Sequence, residues 1–192
     1  AVAEGEFHES MNLAALWKLP VLFVLENNLY AMGTAVARVQ ANTDFVARAA
    51  SYGMPAESGD GDDVVAVESV AQKLVRTIRS GSGPRFLECR TYRTRAHSMF
   101  DTEKYRDKAE VAEWRERSPI ARFQRWALDN GLLHEDEVKA IETEVEVQLR
   151  NAVAACEQAP WEPVEDLHRH VVAETRPPPP VLPEPAHAVD ST

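Results

Sequence analysis

Apolar residues recur at Phe7, Met11, Ala14 and Ala15 with polar and charged residues between them. That spacing predicts an amphipathic helix from about Glu6 to Trp17, stopped before Pro20. Val21-Leu22-Phe23-Val24-Leu25 follows without a polar break. Such a run predicts a strand buried on both faces, and hence a parallel sheet covered by helices. The logic then repeats. Val64, Val67, Val70, Leu74, Val75 and Ile78 share one face of a second helix that stops near Gly81, and after Pro84 a short strand runs from Arg85 to Cys89. Helix and strand in alternation predict an α/β fold.

Two more helices follow. Ser118-Pro119 reads as a helix start, with the serine capping free backbone N–H groups and proline at the first helical position, and Asn130-Gly131 closes it. A longer helix from about Glu135 to Glu157 aligns Val138, Ile141, Val145, Leu149 and Val153, a stripe that calls for a domain or a partner to pack on. From Arg176 to Pro185 proline dominates. The organisation expected is therefore one α/β domain over 1–173 and an extended, disordered Pro-rich tail over 174–192.

With 192 residues, 44% of them hydrophobic, the chain can bury one sizeable core. A net charge of −10 makes nucleic acids and anionic membranes poor partners. The longest apolar run, Leu19 to Leu25, is too short to span a bilayer, and Cys89 and Cys156 form no metal knuckle or disulfide framework. They read as buried thiols of a cytoplasmic protein. Ala1 is not a methionine, and a helical pattern begins almost at once. Residues upstream of it are therefore expected.

The polar cluster Glu26-Asn27-Asn28 sits at the carboxyl end of the first predicted strand, which is where open α/β sheets bind ligands. By themselves, adjacent asparagines after a strand are more often a turn than a metal site. After the Arg85–Cys89 strand comes Thr91-Tyr92-Arg93-Thr94-Arg95-Ala96-His97-Ser98-Met99-Phe100-Asp101, polar and without periodicity, which reads as a functional loop at the same edge. A lone histidine in such a loop is usually just solvated. Gly59-Asp60-Gly61 reads as a loop ahead of a helix capped by Asp62 or Asp63.

Taken whole, the segment Ala1 to Thr34, with Ala1-Val2-Ala3-Glu4-Gly5-Glu6, Asn12-Leu13-Ala14-Ala15-Leu16-Trp17-Lys18-Leu19-Pro20 and Glu26-Asn27-Asn28-Leu29-Tyr30-Ala31-Met32-Gly33-Thr34, resembles the alpha subunits of thiamine-diphosphate-dependent 2-oxoacid dehydrogenases. Their cofactor motif is a GDG triplet followed some two dozen residues later by NN. Here the NN half is present, and Ala1 corresponds to the residue directly after the triplet. The resemblance implies a thiamine-diphosphate-binding fold in which Asn28 gives a side-chain oxygen and Tyr30 a backbone carbonyl to magnesium, while Ala1 makes a backbone contact to the diphosphate. The second segment, with Tyr92-Arg93, His97-Ser98-Met99, Asp101 and Tyr105-Arg106, is similar to the family's active-site loop, which implies cofactor-site roles for Arg93 and His97 and a catalytic role for His97. Arg95 and Ala96 stand where mitochondrial relatives carry His and Gly, and Ser98 holds a position phosphorylated in those relatives.

The resemblance implies decarboxylation of pyruvate and transfer of the acetyl group to lipoyl. It also implies a beta subunit that supplies the glutamate activating the cofactor, a lipoyl-bearing dihydrolipoyl acyltransferase, and the N-terminal half of the alpha subunit. The alternatives are an acetoin or branched-chain 2-oxoacid dehydrogenase, or a non-catalytic module that only pairs with another chain. Because the triplet's aspartate is not among these residues, the 192 residues alone are expected to bind thiamine diphosphate and magnesium weakly and not to behave as a stable monomer.

Overall fold

The computed structural model describes residues 1–169 and 171, so the proline run from Arg176 and any boundary near residue 173 lie outside the described residues. Two compact units divide the chain, Ala1–Lys139 and Ala140 onward. In the first, α1 (Gly5–Leu16) leads to β1 (Leu22–Asn27), a small hairpin of β2 (Tyr30–Ala31) and β3 (Thr34–Ala35), α2 (Val36–Val39) and α3 (Phe45–Ala50). Then follow β4 (Ala56–Asp60), α4 (Val64–Arg79), β5 (Arg85–Arg90), α5 (Lys108–Glu116) and α6 (Pro119–Asp129). Helix α7 (Glu135–Gln158) begins in this unit and continues into the second, whose described residues also include a 3-10 turn at Val164–His168.

The sheet is parallel, in the order β1-β5-β4, with Leu22 opposite Arg85 and Ala56 opposite Phe86. Because side chains alternate along a strand, central β5 serves two cores. Phe86 joins Met11 and Ala14 of α1, Phe45 and Ala49 of α3, and Met54 on one face. Leu87 and Cys89 meet Leu74 of α4 on the other, with Leu22, Val67 and Val70 beside them. This is the parallel sheet flanked by helices that the hydrophobic pattern predicts.

Several expectations need correction. β1 is covered only in part: Phe23 and Leu25 pack on the α1 side and Leu22 on the α4 side, but Val24 is 55% exposed, and among the described residues β1 is an edge strand with β5 as its one ladder neighbour. Leu16, Trp17 and Leu19 lie exposed near it in the chain. Gly59 and Asp60 belong to β4 rather than to a loop, and the ladder continues as Gly61 N–H donates to the Arg90 carbonyl over 2.7 Å. A Cβ on Gly61 would lie 2.9 Å from that oxygen, so this turn needs glycine. Asp63 is the cap of α4, accepting from the N–H groups of Val65 and Ala66 over 3.1 and 3.0 Å.

Ser118 makes no capping bond, although Pro119 does take the first turn of α6. The helix is tied down by Arg122, which donates to Asp60 at 2.6 Å and to Asp63 at 2.7 Å. That guanidinium holds the Asp60 carboxyl below its usual range. Nearly half of Arg122 is exposed, so each bridge contributes at most about 1 kcal/mol. On α7, Val138 is buried while Ile141, Val145, Leu149 and Val153 are exposed. Cys89 is a buried thiol, raised by burial, but Cys156 is exposed.

Candidate functional site

β1 and β5 end together, Asn27 opposite Arg90, so the asparagine pair and the loop after β5 emerge at one sheet edge. Asn27 Nδ2 donates to Glu88 Oε1 over 2.7 Å, and Ser58 Oγ donates to the other oxygen, Oε2, over 2.6 Å. Glu88 is only 7% exposed, and a buried carboxylate requires such donors. Asn27 is thereby a scaffold residue. Asn27 Oδ1 also accepts from the Leu29 N–H over 3.2 Å, and Asn28 Oδ1 accepts from the Tyr30 N–H over 3.1 Å, two successive Asx turns. Between them Leu29 adopts a left-handed backbone, φ 69°, and launches the β2–β3 hairpin.

Beside this turn lies a cleft of about 250 Å³. Ala1 from the chain start and Asn28 and Tyr30 from the segment after β1 all line it, with Glu26 the only acid among the described residues there. Leu25, Val36 and Phe45 contribute an apolar side. An amide oxygen and backbone carbonyls are hard neutral donors, which suit magnesium when phosphate oxygens and water complete its shell. No group of three or more His, Cys, Asp or Glu among the described residues could hold a metal unaided.

Arg93 and His97 do not line the cleft. Arg93 reaches the far side of the hairpin, where Nη2 donates to the Met32 carbonyl and to the Tyr105 hydroxyl, both over 2.7 Å. Its Nε is buried without a hydrogen-bond partner among the described residues, as is the Tyr92 hydroxyl. His97 has an exposed side chain, while its N–H donates to Asp101 Oδ2 over 2.9 Å. Met99 and Phe100 at the loop apex are almost fully exposed.

The loop is organised by residues to which the sequence assigned no role. The N–H of Glu103 donates to Asp101 Oδ1 at 2.9 Å and the Tyr105 hydroxyl to Oδ2 at 2.7 Å. Arg106 bonds Glu103 and the Arg93 carbonyl and lies over the Tyr92 ring at 5.4 Å. The Tyr30 hydroxyl donates to Glu110 over 3.1 Å, joining the hairpin to α5, and Tyr92 stacks on Trp114 at 5.1 Å. Burial, with the Glu110 carboxylate adding to it, pushes the Tyr30 phenol up. Tyr105 and Arg106 are legible as members of a motif but not as its braces. Glu88 could have been found, since a glutamate inside the apolar run of β5 demands partners.

The N–H groups of Glu103 and His97, then the Tyr105 hydroxyl, hold the Asp101 carboxyl down to about 2. A depressed carboxylate contributes stability above its unfolded value and loses it as pH falls through its folded value. The turn around Asp101 should therefore persist below pH 4 and open as pH approaches 2. Amide chemical shifts of His97 and Glu103 followed by NMR would check this; a midpoint near pH 4 would refute it.

The description "Dehydrogenase E1 component" belongs to the family whose sequence profile matches residues 1–165. This chain belongs to that family. It is 44% identical over 173 residues to the pyruvate dehydrogenase E1 component subunit alpha of Rhizobium meliloti (strain 1021), covering 90% of this chain and 50% of the relative. Against the chloroplastic subunit alpha-3 of Arabidopsis thaliana identity is 38% over 172 residues, 90% of this chain and 40% of the relative. With the subunit alpha of Rickettsia conorii it is 39% over 171 residues, 89% of this chain and 52% of the relative. The chain thus spans about half, or less, of these relatives. Among the described residues no helix is long and apolar enough to cross a membrane.

Proposed function

We propose that these residues form part of the alpha subunit of a cytoplasmic pyruvate dehydrogenase that decarboxylates pyruvate with thiamine diphosphate and magnesium and passes the acetyl group to lipoyl. The observation that supports it is the convergence of Ala1, Asn28 and Tyr30 on one cleft at the carboxyl edge of a parallel sheet. In this reading the Asn28 side-chain oxygen and the Tyr30 carbonyl hold magnesium, and the Ala1 backbone meets the diphosphate. The triplet's aspartate, which is not among these residues, completes the metal's protein ligands. Bound thiamine diphosphate supplies the carbon nucleophile and the electron sink. Arg93 steadies the hairpin, and His97, on a loop tied through its own N–H, is free to turn its imidazole toward phosphate oxygens or a proton in transit. The partners are a beta subunit, which brings the activating glutamate, a lipoyl-bearing dihydrolipoyl acyltransferase, and the N-terminal half of the alpha subunit.

The test is turnover of the assembled alpha and beta subunits with pyruvate, acetoin and branched 2-oxoacids, with thiamine diphosphate and magnesium present or withheld. Pyruvate should give the highest kcat/KM, and withholding either ligand should abolish it. His97→Ala should lower turnover by about 100-fold, as loss of a proton-transfer group does, with an unchanged melting temperature. A preference for acetoin, or turnover independent of the cofactor, would overturn the assignment.

A further inference from the structure

The β2–β3 hairpin, which carries the Tyr30 carbonyl, pairs only two residues on each side. Ribbons that short do not hold their own shape. This one also contains two non-glycine residues in the left-handed region, or at its edge, Leu29 just before it and Met32 at its tip with φ 50°. Something outside must hold it. The Tyr105 ring lies so close that a Cβ on Gly33 would sit 3.0 Å from its Cδ1. The rings of Tyr30 and Tyr105 are 5.6 Å apart. The Tyr105 hydroxyl accepts from the same Arg93 nitrogen that grips the Met32 carbonyl, and it donates to Asp101, which fixes the position of that hydroxyl. Tyr105 itself does not line the cleft.

We infer that Tyr105 is a positioning residue that sets the magnesium affinity of the hairpin from behind, through Gly33 and Arg93; this rests on the reading of Asn28 and Tyr30 as magnesium ligands. Magnesium tolerates little departure from octahedral geometry. A hairpin released from Tyr105 offers the Tyr30 carbonyl over a spread of positions, and the cation is held less well. The rest of the chain loses only local contacts.

The experiment is calorimetric titration of magnesium chloride into the assembled enzyme at saturating thiamine diphosphate, for the native protein, Tyr105→Phe and Gly33→Ala. Tyr105→Phe keeps the ring against Gly33 and removes the link to Arg93 and Asp101. Gly33→Ala pushes on the ring and keeps the link. Each should raise the half-saturating magnesium concentration about tenfold, which for Tyr105→Phe is the equilibrium equivalent of one charge-assisted hydrogen bond. Excess magnesium should then restore turnover, which a merely structural loss would not allow. Native half-saturation in both variants, or a loss that excess magnesium does not repair, overturns the inference and leaves the proposed function standing. Failure of the native enzyme to bind the cofactor in a magnesium-dependent way overturns both.

Discussion

Asn28→Ala in the assembled enzyme is expected to lose at least about 100-fold in magnesium affinity, since changing even a partner of a metal ligand costs 10- to 100-fold. Turnover should fall with it. Among the described residues the Asn28 side chain bonds only the Tyr30 N–H, in the Asx turn. Losing a neutral local bond of that kind costs about 1 kcal/mol, so melting should move by only a few degrees. Asn27→Ala gives the opposite pattern. It takes the donor from Glu88 Oε1 and leaves the buried carboxylate with Ser58 alone. An unsatisfied buried acceptor costs about 1–3 kcal/mol, so Asn27→Ala should melt earlier while retaining more of the metal affinity. Two neighbouring asparagines thus divide into a ligand and a scaffold, and a titration with a thermal melt on each variant separates them. Equal loss of metal affinity in both would refute the division.

The elements that proved legible are those whose packing repeats along the sequence. The heptad-like spacing of α4 and the apolar run of β5 bury Leu74 and Leu87 against each other, so pattern and burial coincide. β4 has no such pattern, because Ala56-Glu57-Ser58-Gly59-Asp60 forms an edge strand defined by its ladder to β5. No periodicity announces α3 either, whose six residues are placed by Phe45 and Ala49 entering the core. β1 fails in the other direction. Its run is apolar throughout, but Leu22 and Leu25 have helices to meet and Val24 does not. At the cleft, Ala1, Asn28 and Tyr30 are lining residues that the sequence singles out, because a motif fixes residue types. The apolar side from Val36 and Phe45 was not readable, since it arises only when the chain after the hairpin folds back over the cleft.

The same contrast makes Arg106 the most consequential residue of the loop for stability, although nothing in its sequence position announces it. Its side chain is fully buried against a Glu103 carboxylate that is one-third exposed. It also bonds the Arg93 carbonyl and lies over the rings of Tyr92 and Tyr105 at 5.4 and 5.9 Å. Breaking a buried ion pair from one side costs about 3–5 kcal/mol. Glu103 can rehydrate, so the lower end applies, and Arg106→Ala should cost about 3 kcal/mol. Much of that loss falls on the segment from Arg93 to Asp107, where Arg106 supplies the donor to the Arg93 carbonyl. Arg106→Lys should recover only part of it, because an ammonium cannot bond Glu103 and that carbonyl with a planar fork while stacking on two rings. Denaturant unfolding of the three proteins, with trypsin cleavage after Arg95 as a local probe, would show the order native, Arg106→Lys, Arg106→Ala. If Arg106→Ala unfolds at the native midpoint with an uncleaved loop, the loop is held by Tyr105 and Asp101 without it.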